Sequence, residues 1–224
     1  MYCVMNIGRP NQDNNEVVPQ VMNMGPGYNW DAADSITALS TNAPLSVSPN
    51  FHAFHLDPET RLTDVISQAY IFTRGILISE RFWRTLEGFV TQAHQSYAAD
   101  VVFRGKTSPY YWLHMTEELE NRIDYANSDF YIEPTLGGAA ESVTLADRQA
   151  LDALSRRLVD EGIGSLRPRR ITFVSGTPAY DLFCLQFTSC TFFASARLAD
   201  RLSADKLTGL EFRSAQAEFV FFRQ

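Results

Sequence analysis

Four histidines are the residues best suited to metal or acid–base chemistry, and two of them lie close together. His52 and His55 are separated by two residues, a spacing that lets two imidazoles reach one metal ion. Both lie in a proline-rich stretch, and no CxxC, HExxH or deaminase-type motif is present to complete a coordination sphere. His114 follows an aromatic run, where a packed strand residue is expected. The sequence therefore predicts no metal centre and no cofactor.

Motifs for nucleophilic or phosphate chemistry are missing from the sequence. It contains neither a G-x-S-x-G elbow nor a G-x-x-x-x-G-K-[ST] phosphate loop. The run Gly25-Pro26-Gly27 is typical of a turn, because Pro26 lacks the amide that a phosphate would need. We therefore expect no catalysis, while an enzyme with an unrecognised active site stays open as an alternative.

Two charged clusters are predicted to face solvent. Glu117, Glu118, Glu120 and Asp124 form an acidic run after a strand, which is typical of a solvated face. Three arginines flank Pro168 ahead of a strand, where they indicate an exposed linker that guards an apolar strand from aggregation. The three are Arg167, Arg169 and Arg170.

Aromatic residues are concentrated in residues 110–112 and 192–193. Such runs serve either as stacking platforms for single-stranded RNA or as core strands. The net charge is −7, and basic residues do not alternate with these aromatics. We therefore predict core strands and no direct binding of nucleic acid.

The acidic surplus lies near the N-terminus. Residues 1–60 carry six acidic residues against one arginine, a net charge of −5 out of the −7 of the chain. An acidic surface accelerates encounter with a basic protein partner, although it also serves solubility alone.

Compartment is predicted from the cysteines and the apolar runs. The three cysteines are odd in number and lack CxxC spacing, so they are expected to stay reduced in a cytoplasm. The N-terminus does not have the pattern of a secretory signal, and no apolar run reaches the roughly 18 residues of a membrane span.

The elements predict one α+β domain over residues 1–224. Residues 8–60 hold six of the ten prolines and predict a long irregular wrapping segment. Strand patterns at both chain ends and in residues 75–79, 100–104 and 110–115 favour a mixed, mostly antiparallel sheet. A few amphipathic helices pack on it, over about residues 80–95, 144–161 and 196–202, with a possible short helix at 62–70.

One internal similarity links two strand–helix junctions. Residues 79–86 and 195–202 both read Ser-x-Arg-apolar-x-x-x-Leu, and both follow an apolar strand. Any strand that runs into an amphipathic helix favours an N-cap serine and spaced apolar anchors. The pattern therefore indicates convergent capping, with a duplicated unit as the alternative.

Several segments resemble a polymorphic-toxin immunity protein family of myxobacteria and proteobacteria, formerly a domain of unknown function. They are GILISERFWRTLEGF (75–89), YYWLHMTEELENRIDYANSDF (110–130), RRITF (169–173) and residues 181–212, which end in LTGLEF. The resemblance covers about half the chain and implies a cytoplasmic protein that neutralises a cognate toxin, often a nuclease, without catalysis.

The partner implied by the resemblance is a toxin protein, and the residues outside it are expected to set partner choice. We predict contacts at Asp31, Asp34, Asp57 and Glu59, whose carboxylates would pair with a basic toxin. A protein-interaction module with no toxin partner is the other alternative. The oligomeric state is left open.

Overall fold

The computed structural model describes residues 1–7, 19–37, 43–51, 53–68, 75–185 and 191–222. These ranges form an α+β fold, as the sequence predicts. The helices are α1 (Glu80–Leu86), α2 (Arg148–Glu161) and α3 (Ala196–Ala204). The strands are β1 (Tyr2–Ile7), β2 (Val21–Asn23), β3 (Phe54–Leu56), β4 (Val65–Ile66), β5 (Gly75–Ser79), β6 (His94–Phe103), β7 (Lys106–Met115), β8 (Asp129–Pro134), β9 (Glu141–Val143), β10 (Gly164–Thr172), β11 (Leu182–Leu185), β12 (Thr191–Ser195), β13 (Leu210–Ser214) and β14 (Glu218–Val220).

The strands form three sheets where the sequence suggested one. The first has the order β11-β12-β1-β13, the second β14-β10-β8-β9 and the third β2-β3-β6-β7-β5-β4. Pairing is antiparallel except between β3 and β6 and between β10 and β14. In the first sheet β1 lies between β12 and β13, so the N-terminal strand pairs with strands near the other end of the chain.

Serine caps begin α1 and α3, as predicted. Ser79 Oγ accepts a hydrogen bond from the amide of Phe82, and Ser195 Oγ accepts one from Leu198, each at 3.2 Å. The predicted helix over residues 80–95 is wrong beyond residue 86. Gly88 takes a φ of +90°, which turns the chain, and β6 begins at residue 94.

Three further local predictions need correction. Residues 62–70 contain strand β4 and no helix at 62–68, while 69 and 70 lie outside the described ranges. The cap of α2 is Asp147, which accepts a hydrogen bond from Ala150 at 2.8 Å, and Thr144 precedes the helix. The arginines around Pro168 lie within β10, because this strand pairs with β8 along residues 164–170.

Among the residues that the structure describes, buried side chains form three apolar clusters. The central cluster lies between the first and third sheets with both short helices, and includes Phe82 and Leu198. A second cluster, around Trp112, joins the other face of the third sheet to the N-terminal segment. A third cluster, around Phe183, joins the other face of the first sheet to the second sheet and α2. Residues 8–60 thus supply β2 and β3 of the third sheet, and other described residues of the segment, such as Met24 and Ile36, pack in the second cluster.

No helix in these ranges is both long and apolar enough to cross a membrane.

Candidate partner-binding surface

Asp31 and Asp34 lie in a tight turn that projects from the second cluster. The side chain of Asn29 accepts a hydrogen bond from the amide of Asp31 at 3.1 Å, and the amide of Ser35 donates to the carbonyl of Ala32 at 3.0 Å. Both carboxylates are exposed. Because local hydrogen bonds fix the backbone, the two negative charges are presented from a defined position.

Tyr28 fastens this turn to the core. Its hydroxyl donates to the carbonyl of Asn50 at 2.9 Å and accepts from the amide of Ile36 at 2.6 Å. Ile36 is 3% exposed and belongs to the second cluster. Burial raises the pKa of Tyr28, the bond from Ile36 lowers it and the charge of Asp34 raises it, with a net upward shift. The phenol therefore stays a neutral hydrogen-bonding group.

Trp30 packs on Tyr28 and still reaches solvent. The two rings meet edge to face with centroids 4.8 Å apart and planes at 77°. Trp30 remains 41% exposed, next to Asp31 in the chain. We call Tyr28, Trp30, Asp31 and Asp34 the acidic–aromatic surface. Tryptophan held in one orientation is the type of side chain that most often dominates binding energy at protein interfaces.

The other predicted pair lies elsewhere. Asn50, next to the acidic–aromatic surface, precedes β3, whereas Asp57 and Glu59 follow β3, so the two pairs flank this strand at opposite ends. Asp57 accepts a hydrogen bond from the amide of Glu59 at 2.8 Å and thereby closes a turn. Arg104 donates to the carbonyl of Pro58 in the same turn. The four carboxylates therefore form two separate pairs, and their partner contacts stay a prediction.

The acidic run after β7 was expected to face solvent, which is wrong for Glu120. Its side chain is 0% exposed and lies 3.4 Å from Nη1 of Arg148, whose Nε donates to Asp152 at 2.8 Å. Glu117 accepts from the hydroxyl of Tyr180 at 2.9 Å. The pairing partner of Glu120 lies 28 positions along the chain, so its burial was not readable from local charge.

A cleft of about 420 Å³ opens beside the Glu120–Arg148 pair. Burial of Arg148 lowers its pKa, and the bond and charges from Asp152 and Glu120 raise it, with a net upward shift. Burial raises the pKa of Tyr125, at the same cleft, to about 12. The guanidinium stays charged and the phenol stays neutral near pH 7, so these groups suit an ion pair more than proton transfer.

The remaining sequence candidates occupy structural positions. Within the described ranges, no group of three or more His, Cys, Asp or Glu side chains is placed to hold a metal ion. His114 is buried and its ring lies 6.4 Å from that of Tyr97, and His55 lies on β3, while His52 is outside these ranges. Tyr110 and Trp112 are buried, which confirms the core assignment of this aromatic run.

The arginines of β10 make cross-strand contacts with β8 and β9. Arg167 pairs with Glu133 at 3.0 Å, and Arg170 pairs with Asp129 at 3.2 Å. Arg169 lies over the ring of Tyr131 at 4.9 Å. Two of the three arginines are therefore paired with carboxylates, and the run lies in a strand instead of the exposed linker that the sequence suggested.

Sequence reasoning missed two buried aspartates, Asp64 and Asp181. They are 8% and 6% exposed, and each immediately precedes a short strand, β4 and β11 respectively. A polar residue before an apolar strand is too common to mark a site. The available signal was the Ser-x-Arg motif that follows each of them.

No family model matches the chain, and no curated protein matches it at a significant level.

Proposed function

We propose that this protein is an immunity protein that binds a cognate bacterial toxin in the cytoplasm and neutralises it without catalysis. The proposal joins the resemblance of residues 75–89, 110–130, 169–173 and 181–212 to the acidic–aromatic surface. Its partner is a basic toxin domain, and a nuclease fits because nucleases carry basic surfaces for their own substrates.

The observation that carries the proposal is the rigid presentation of Trp30 beside two carboxylates. Tyr28 is held by two hydrogen bonds and the turn by two more, so little conformational entropy is lost when a partner binds. The ring of Trp30 offers apolar area and a face for a cationic group, and Asp31 and Asp34 supply opposite charge.

The test is co-expression with the toxin domain encoded beside the gene of this protein. Wild-type protein is expected to restore growth and to bind the purified toxin domain. Trp30→Ala is expected to raise Kd by about 30-fold or more, the size typical of an interface hot spot. Leu136→Ala is the matched control, because Leu136 is 98% exposed and lies in the turn after β8 of the second sheet. No rescue by the wild type would refute the proposed function.

Two double variants distinguish the contributions of the two carboxylate pairs to toxin binding. Asp31→Ala with Asp34→Ala is expected to weaken toxin binding and to make it less sensitive to salt, because steering by the two charges is lost. Asp57→Ala with Glu59→Ala tests the second pair, and we expect a smaller change because Asp57 already closes its own turn. Equal affinity and equal salt dependence for the first double variant and wild type would exclude the acidic–aromatic surface.

A further inference from the structure

The first and third sheets share one arrangement of four strands and a helix. The third sheet contains the order β4-β5-β7-β6, and the first sheet is β11-β12-β1-β13. In each set the first two strands form an antiparallel pair, and the second strand runs directly into a short helix, α1 or α3. The helix leads to the fourth strand in each set. The third strand differs in its place in the chain, since β7 follows β6 whereas β1 is N-terminal.

The strand registers agree residue by residue. Ser79 lies opposite Tyr110 in one set, and Ser195 lies opposite Tyr2 in the other. The hydroxyl of Tyr110 donates to the carbonyl of Thr63 at 2.6 Å. The hydroxyl of Tyr2 donates to the carbonyl of Tyr180 at 2.9 Å. Each acceptor is the residue just before one of the two buried aspartates.

Those aspartates make the same contacts within their own sets. Asp64 Oδ1 accepts from Ser79 Oγ at 2.8 Å, and its carbonyl accepts from the amide of Ser79 at 2.7 Å. Asp181 Oδ1 accepts from Ser195 Oγ at 2.6 Å, and its carbonyl accepts from the amide of Ser195 at 2.8 Å. The repeated Ser-x-Arg motif therefore belongs to a larger repeated group, which N-capping alone does not require.

The second carboxylate oxygen of each aspartate reaches into the opposite set. Asp181 Oδ2 accepts from the amide of Val90, which follows α1, at 2.9 Å. Asp64 Oδ2 accepts from the amide of Thr208, which follows α3, also at 2.9 Å. The backbone completes both links, because Leu182 donates to the carbonyl of Val90 and Val65 to that of Thr208. Contacts that are reciprocal in this way define a two-fold, isologous interface.

The arginines of the two motifs also cross between the sets. Arg81, from α1, donates to the carbonyls of Asp205 and Lys206 just after α3. Arg197, from α3, lies 4.5 Å over the ring of Phe89 just after α1. Each arginine also lies next to the buried aspartate of its own set.

The central cluster contains equivalent residues from both sets. Phe82 and Leu86 of α1 correspond to Leu198 and Leu202 of α3, and all four are buried in this cluster. The register likewise equates buried residues of β5 and β7 with those of β12 and β1. These equivalent pairs are Ile76 with Phe192, Ile78 with Ala194 and Leu113 with Met5.

We propose that the described residues 64–68 and 75–115 form one copy of a unit, and that residues 1–7, 181–185 and 191–214 form a second, circularly permuted copy. Asp64 and Asp181 latch each copy to the other. We call these the first copy and the second copy. Each carboxylate accepts a hydrogen bond from the serine that caps the helix of its own copy. Its other oxygen accepts one from the backbone after the helix of the opposite copy. Weakening the hydrogen bonds of one aspartate is therefore expected to increase local opening in the copy that does not contain it.

Hydrogen–deuterium exchange of the full-length protein tests this. Asp181→Asn is expected to speed exchange in residues 90–92 of the first copy by about tenfold or more, including the amide of Gln92, which donates to Leu182 and not to the carboxylate. Asp64→Asn is expected to speed exchange in residues 207–208 of the second copy. It should also speed exchange at Val65 of the first copy, because the amide of Val65 donates to the carbonyl of Thr208 in the second. Asn keeps the shape of Asp but places an NH₂ group against donors.

Asp147→Asn is the matched control, because Asp147 caps α2 alone and belongs to neither copy. It is expected to change exchange only at the start of α2. Arg197→Gln keeps the Asp181 carboxylate and serves as a milder variant should Asp181→Asn fail to fold, with a smaller change expected in the same residues 90–92. Changes confined to the copy that carries each substitution would overturn the latch.

Discussion

In both copies the equivalent face of the sheet is buried in the central cluster. The opposite face of each sheet is covered by a different part of the chain. In the first copy, Leu77 and Trp112 face the irregular N-terminal segment. Their equivalents in the second copy, Phe193 and Val4, face the second sheet and α2. The equivalent faces of the two copies pack against each other across an approximate two-fold axis, so a substitution on either face must remain compatible with the other. The outer faces do not pack against each other, so each is covered by a different part of the chain.

This division separates the part that holds the molecule together from the part that we propose recognises the toxin. The acidic–aromatic surface belongs to the covering of the first copy, whereas the buried aspartates lie between the copies. Loops that project from a rigid scaffold are common sites of recognition because they change without disturbing the core. Substitutions between the copies should therefore act on stability, and substitutions in the covering should act on binding.

The largest expected effect is at Gly209, where the copies meet and differ. A Cβ at Gly209 would lie 2.0 Å from the carbonyl oxygen of Val65, and its φ is +82°. The preceding Thr208 is the equivalent of Val90, so the first copy carries Thr91 at the position of Gly209. We expect Gly209→Ala to lower the free energy of unfolding by about 3 kcal/mol or more, measured by urea denaturation.

Gly105→Ala controls for backbone strain in that experiment. Gly105 has a φ of +74°, and no heavy atom lies within 4 Å of the Cβ position. Gly105→Ala is expected to cost about 1 kcal/mol through the left-handed backbone alone. Equal losses at Gly209 and Gly105 would show that the close approach between the copies does not matter.

A second difference between the copies concerns two neighbouring positions: the first copy has a small residue next to a large one, and the second copy has a larger residue next to a smaller one. A Cβ at Gly75 would lie 2.4 Å from a ring atom of Trp112. The equivalent positions in the second copy are Thr191 and Val4, so a larger residue faces a smaller one. We expect Gly75→Ala to cost about 2 kcal/mol through overpacking, measured as a shift in the urea midpoint. Thr191→Ala, at the equivalent position, is expected to cost less than about 1 kcal/mol, and the opposite order would contradict the equivalence.

The smallest of these effects is acid sensitivity at Asp181. Burial raises its pKa, but hydrogen bonds from Arg197, Ser195 and Val90 lower it, with a net shift below 3.8. The folded state therefore binds this proton less readily than the unfolded state. The stabilisation is complete above the unfolded pKa and is lost as the pH falls through the lower folded pKa. At pH 7, Asp181→Asn is expected to cost about 1.5 kcal/mol.

Urea unfolding at several pH values checks this prediction. The difference in the free energy of unfolding between wild type and Asp181→Asn should shrink as the pH falls below 3.8. Asp200→Asn, at an exposed position on α3, should show little difference at any pH. A gap between wild type and Asp181→Asn that stays constant down to pH 2 would contradict the role assigned to the charged carboxylate.

Local patterns predicted the elements whose signals lie within one stretch of chain. Gly75–Ser79, the capped start of α1 and α3, and the end of α2 at Gly162 are set by neighbouring residues, so the sequence indicated them correctly. Pairing between distant strands has no local signal. The position of β1 between β12 and β13, and hence the division into separate sheets, was therefore not predictable from the pattern.

The candidate site shows the same limit. Asp31 and Asp34 were chosen for their charge and prove to be exposed, whereas the separation of Asp57 and Glu59 from them depends on β3, which lies between the two pairs in the chain and pairs with β2 and β6. The serine motif was visible, but its role between the copies needed the positions of Asp64 and Asp181. Both aspartates read in sequence as ordinary polar residues before a strand.

The division between scaffold and recognition surface is tested most directly by hydrogen–deuterium exchange of the wild-type protein, with and without the purified toxin domain that we propose as its partner. We expect protection on binding in residues 28–36 and unchanged exchange in residues 90–92 and 207–208. Protection of those latter segments, with none in residues 28–36, would contradict the assignment of toxin recognition to the covering of the first copy.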